Sequence, residues 1–143
     1  MTSEATEARA ILDLCEGSAL RAFEMVQGQL GVLVLRTQVM LSLSGIVITV
    51  TGFSGKAIAQ TSLLARGCIV SGLFTVLLAA AVAVWGVLRL RWLTQEIQGQ
   101  PLETLELALS VRNKKSRYLS AALALFVSGF GLYCVAVALL LIG

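Results

Sequence analysis

The side chains that most often carry catalysis are scarce in this chain, and histidine is missing altogether. Without an imidazole there is no His-ligated haem, no His-containing zinc site and no His-based acid/base catalysis. Cys15, Cys68 and Cys134 are widely separated and odd in number, and two of them sit in apolar runs. That pattern suggests neither a CxxC redox pair nor a disulfide framework, and inert thiols are the simpler expectation. Glu96, Glu103 and Glu106, with nearby arginines, are the one acidic group that could converge on a reaction. Glu103 and Glu106 fit better as the first turn of a helix, where acids favour the positive end of the dipole. The sequence therefore predicts no enzyme, no metal centre and no cofactor.

Ordered rows of small and hydroxylated residues are present instead. Gln38, Ser42, Gly45, Thr49 and Gly52 recur at spacings of four, three, four and three. Gly67, Ser71, Thr75, Ala79 and Ala83 recur every four and lead to Gly86, and Ser120, Ala124, Ser128 and Gly131 repeat the device. In lipid such rows let helix backbones approach closely, so all three predict helix packing, with contacts left over for identical neighbours. The first row is the most polar and admits a sharper reading. It could line a narrow water path at the centre of an oligomer, its hydroxyls and amide facing water and its glycines leaving room. No Asp, Glu, Lys or Arg lies within the three apolar runs that carry these rows, which counts against a proton-coupled carrier with an intramembrane carboxylate.

The elements that must position these rows follow from composition. The 143 residues are 57% hydrophobic and 13% charged, with a single proline, far more apolar than an ordinary soluble domain. Three apolar runs, 37–53, 67–88 and 118–142, read as transmembrane helices. The first is about 25 Å long at ~1.5 Å per residue, short of a ~30 Å hydrocarbon core, and begins nearer Leu30 if Arg36 snorkels. Arg89, Arg91 and Trp92 close the second with interfacial anchors.

Residues 1–36 carry a helical stripe of Leu12, Ala19, Phe23, Val26, Leu30 and Leu33. Ser3 suits an N-cap and Glu4 and Glu7 suit the dipole, which predicts an amphipathic helix continuous with, or sharply hinged to, the first span. In the 89–117 loop, Pro101 opens a short helix with acids first and bases last. The expected fold is all-α, one integral membrane helical bundle over residues 1–143. It has about three transmembrane helices, an N-terminal amphipathic helix and a short cytoplasmic helix.

Orientation follows from Lys and Arg near the span ends, six in 89–117 against two in 54–66. MTSEATEARA lacks the basic start and short apolar stretch of a signal peptide. The N-terminus and the long loop are therefore expected in the cytoplasm and Gly143 outside. The net charge of +3 sits beside apolar runs, which argues for topology rather than nucleic acid. Arg112, Lys114, Lys115 and Arg117 form a juxtamembrane cluster. Each is expected to contribute ~1 kcal/mol toward anionic lipid head groups, or merely to fix topology.

The stretch KKSRYLSAALALFVSGFGLY has a polar helix before it, a basic pair, a Tyr-Leu at the membrane edge, and Leu125, Phe126 and Gly129 inside. It resembles the bacterial SLATT and Pycsar-type transmembrane modules of conflict systems. The resemblance implies a helical N-terminus before a hairpin of spans, and depolarisation or perforation of the inner membrane during phage infection when a nucleotide signal arrives. No segment here suits a nucleotide, so a sensor is expected on a separate protein. The expected function is a non-enzymatic homo-oligomer of the bacterial inner membrane, pore-forming or membrane-disrupting in a stress or antiphage response, with membrane lipids as partners. The alternative is an accessory or scaffolding subunit whose N-terminal helix and 94–117 segment dock a larger cytoplasmic or membrane protein.

Overall fold

A computed structural model describes residues 3–54, 63–88 and 100–142, the side chains of the last helix being described through Leu139. Expectations about the 55–62 connection and about Arg89, Arg91, Trp92 and Glu96 lie outside the described residues. The described elements are helical: α1 Ser3–Leu14, α2 Ala19–Phe53, α3 Leu63–Ala83 with a closing π turn Val84–Leu88, and α4 Pro101–Ile142. By length and composition α2, α3 through Leu88, and α4 are each able to cross a membrane.

The N-terminal segment is not one helix. α1 stops in a Schellman arrangement in which the Gly17 amide donates to the Leu12 carbonyl at 2.8 Å and the Glu16 amide donates to the Asp13 carbonyl at 3.1 Å. Both turn residues are left-handed, Glu16 at φ 54° and Gly17 at φ 76°. Gly17 adopts that conformation without a Cβ penalty, whereas Glu16 strains to do so. Ser18 then caps α2 with an extended backbone, and α2 runs unbroken for 35 residues, about 52 Å at ~1.5 Å per residue. The first apolar run is thus the C-terminal half of a long helix, and Arg36 lies mid-helix and exposed.

A second difference concerns the segment after Pro101. The acids-first, bases-last stretch is not a separate short helix but the opening of α4, which continues for 42 residues through the third span. Pro101 occupies its first turn, where a missing amide costs nothing, and no residue from Leu102 to Tyr118 breaks the helix. α3 likewise starts at Leu63, before Arg66, rather than at Gly67.

One seam organises the packing. Along α4 the residues Leu105, Ala108, Arg112, Lys115, Leu119 and Ala122 are buried or half-buried at alternating spacings of three and four. Phe126, Gly129, Tyr133 and Ala136 extend the same seam. A 3.5-residue period is that of left-handed supercoiled helices. The lower seam meets α1 and the start of α2, where Ala8, Ile11, Cys15, Ala22, Val26 and Leu30 close a core with Leu105, Ala108 and Leu109. The upper seam meets α3 and the rest of α2, where Met40, Ala83 and Ala122 converge. The molecule is therefore a headpiece of α1, α2 and α4 continuous with a span bundle of α2, α3 and α4.

α3 and α4 run antiparallel and touch backbone to backbone at Gly72 and Gly129. A Cβ on Gly72 would sit 2.8 Å from the Gly129 carbonyl oxygen, and one on Gly129 would sit 2.8 Å from the Gly72 oxygen. Small residues recur every seven positions on both partners, Ala65, Gly72, Ala79 and Gly86 on α3 and Ala122, Gly129 and Ala136 on α4. At Gly86 an added Cβ would collide with the Tyr118 ring. Outside this seam Val39, Ile46, Val70, Phe74, Trp85 and Val127 are exposed. That inverted apolar surface suits lipid rather than water.

Gly72→Leu and Gly129→Leu are each expected to destabilise the detergent-solubilised protein by about 1–3 kcal/mol, the usual cost of overpacking, as read by reversible unfolding in mixed SDS micelles. Gly45→Leu, with nothing within 4 Å of its added Cβ, is expected to leave that transition of the single chain in place.

Candidate functional site

The polar row of α2 points away from the bundle. Gln38, Ser42, Gly45, Thr49 and Gly52 are all exposed, while Thr37, Met40, Ser44, Val47 and Thr51 face the interior. Both sets keep a 3.5-residue period and occupy opposite faces of one helix. The row does not pack the chain against itself; it leaves an open face on which Cβ atoms on Gly45 and Gly52 would meet nothing within 4 Å.

Its hydroxyls are already satisfied. Ser42 Oγ donates to the Gln38 carbonyl at 3.0 Å and Thr49 Oγ1 donates to the Gly45 carbonyl at 2.8 Å. The inward Thr37, Ser44 and Thr51 do the same to Leu33, Met40 and Val47 at 2.8, 2.9 and 2.7 Å. Back-bonding of this kind removes the need for water at each hydroxyl proton and still leaves acceptor lone pairs on the outer face. Ser42 and Thr49 can therefore lie against another helix without stranding a hydroxyl hydrogen, a requirement that lipid or a protein neighbour would impose.

The other two rows divide differently. On α3 Gly67 and Ser71 are exposed, Thr75 and Gly86 half-buried, and Ala79 and Ala83 buried. A strict spacing of four advances about 40° per step round a helix of 3.6 residues per turn, so this row spirals from the outside into the seam. On α4 Ser120, Ala124, Ser128 and Gly131 are all exposed, and the packing face is Leu119, Ala122, Phe126 and Gly129. Thr75 Oγ1 donates to the Ser71 carbonyl and Ser128 Oγ to the Ala124 carbonyl, both at 2.8 Å. Gly72 and Gly129 are the close-contact residues that sequence reasoning missed. The seven-residue recurrence of small residues through each is the signal that finds them.

The basic cluster is split as well. Lys114 and Arg117 are exposed beside the start of the third apolar run. Arg112 is engaged within the protein: its two terminal nitrogens donate to Glu7 Oε1 and Oε2 at 2.8 and 3.0 Å, and one also donates to Gln29 Oε1 at 2.9 Å. Asn113 Oδ1 accepts from the same guanidinium. One side chain of α4 thus ties α1 and α2 together in the bidentate geometry that favours arginine over lysine. Lys115, next on the seam, is half-buried, and burial lowers its pKa below the usual lysine value of 10.5.

Arg112→Ala is expected to cost about 1–2 kcal/mol, since the pair is partly exposed, and to raise hydrogen exchange in α1 well above that in α4. For Lys115 the unfolded chain holds its proton more tightly than the folded one, so its contribution to stability rises as pH rises from the lowered pKa toward 10.5. Lys115→Met is expected to gain stability at neutral pH and to lose that part of the alkaline rise, read by SDS unfolding of both forms across the same pH series. Set against family models, curated proteins and solved structures, the chain matches none of them.

Proposed function

We propose that this chain is a non-enzymatic membrane module that assembles with copies of itself in a bacterial inner membrane and, once assembled, makes the bilayer leak in a stress or antiphage response. The observation that carries the reading is the α2 row from Gln38 to Gly52, an exposed face of small and hydroxylated residues that the chain's own packing leaves uncovered. Exposed small-residue rows on apolar helices are the usual sites of helix association in lipid. Satisfied hydroxyls favour assembly as the row's first role, and their outward lone pairs leave it able to hold water where copies meet imperfectly. Lys114 and Arg117 would hold the assembly at an anionic lipid surface.

A second reading, an accessory subunit docking a cytoplasmic partner, is favoured by one feature. Leu14 and Leu20, 73% and 71% exposed, flank the turn between α1 and α2.

Liposomes carrying the purified chain are expected to release a trapped dye, with a rate that rises more steeply than the protein-to-lipid ratio. Gly45→Leu is expected to lower that release at least tenfold. A tight bilayer at every ratio, with oligomers present, contradicts the leak and leaves the accessory subunit.

A further inference from the structure

The reading of self-assembly leaves open which surface the α2 row meets. α2 and α4 are parallel neighbours: Val26 and Leu30 share one core with Leu105 and Leu109, and farther along Met40 shares another with Ala122. Met40 and Ala122 therefore mark one height on the two helices. Ser42 and Ala124 each lie two residues beyond that level, and Thr49 and Gly131 each lie nine beyond it. All four are exposed, and a Cβ on Gly131, like those on Gly45 and Gly52, would meet nothing within 4 Å. The chain thus carries two open faces, one on α2 with steps of four, three, four and three and one on α4 with steps of four, four and three. On them Gln38 and Ser120, Ser42 and Ala124, and Thr49 and Gly131 share heights, while Gly45 stands level with the exposed Val127.

The match extends to charge. Nineteen residues below Met40 the α2 row reaches Arg21, and nineteen below Ala122 the α4 row reaches Glu103. Both are exposed and their charges are opposite. Copies related by rotation about the membrane normal stay at one height. An α2 row facing a neighbour's α4 row would therefore set Ser42 against Ala124, Thr49 against Gly131, the open Gly45 under the bulk of Val127, and Arg21 against Glu103, with Glu24 and Glu106 the one like-charged pair at that offset. Two α2 rows meeting each other in parallel would instead set Arg21 against Arg21.

We infer that copies of this chain associate head to tail, the α2 row of one lying on the α4 row of the next, with Arg21 paired to Glu103 across the cytoplasmic end. A heterologous contact between units at one height closes into a ring when the rotation divides a full turn, so the same contact repeats at every subunit boundary. The inference rests on the self-assembly proposed above.

Disulfide trapping in membranes tests it, with Cys15, Cys68 and Cys134 changed to alanine and the two single-cysteine chains carrying tags of different size. Ser42→Cys mixed with Ala124→Cys, and independently Thr49→Cys mixed with Gly131→Cys, are expected to yield the mixed dimer. Each chain alone is expected to yield at least tenfold less. Arg21→Glu is expected to lower the mixed yield severalfold, and adding Glu103→Arg to restore it. Strong linking of Ser42→Cys to itself, or no linking in either pair from a protein that remains oligomeric, overturns the head-to-tail contact and leaves self-assembly standing. A protein that is monomeric in lipid removes both.

Discussion

Everything above the headpiece depends on two peptide backbones being allowed to touch. Where Gly72 and Gly129 meet, each carbonyl oxygen occupies the place a Cβ would need on the other helix, and the α3–α4 distance is set there. Apolar helices surrounded by lipid gain little from being pressed together, and there close packing of small residues has to supply the attraction. The seven-residue recurrence of alanine and glycine extends that contact along both helices. Large exposed side chains such as Phe74, Trp85 and Val127 are left facing outward.

α4 is the shared partner of every other element. Its single seam binds α1 and α2 low down through leucines and a salt bridge, and α2 and α3 higher up through small residues. The border is marked by Arg112 and Lys115, the two cations on the seam. Arg112 is neutralised by Glu7, with further hydrogen bonds to Gln29 and Asn113. Lys115 pays a desolvation cost that shows as a lowered pKa. At that level the leucine-rich core of the headpiece gives way to the small-residue seam, and one helix runs through both.

The three apolar runs are legible in the sequence because nothing but lipid or a large core covers seventeen or more uncharged residues in succession. Helix ends were harder to read. Gly17-Ser18 is a stop and start that the amphipathic stripe masked, since Leu12 and Ala19 keep phase across it. The continuity of α4 across Arg117 and Tyr118 was hidden by the change from polar to apolar, which alters a helix's solvent but not its hydrogen bonds. The small-residue rows were found, yet spacing alone does not say which row faces inward: on α2 two heptad faces are both eligible, and only the positions of α3 and α4 choose between them. The partnership of Arg112 with Glu7, 105 residues apart, leaves no local pattern to find.

What remains after the chain has packed is a surface with the composition of an interior. Glycines with open space beside them and hydroxyls bonded to their own helix cost stability in one chain, a cost that the proposed contact with another helix would offset. Counting subunits by stepwise photobleaching of singly labelled protein in lipid bilayers tests this most directly. The account predicts one fixed number of steps greater than one at high protein-to-lipid ratio, giving way to single steps on dilution. Single steps at every ratio would contradict it.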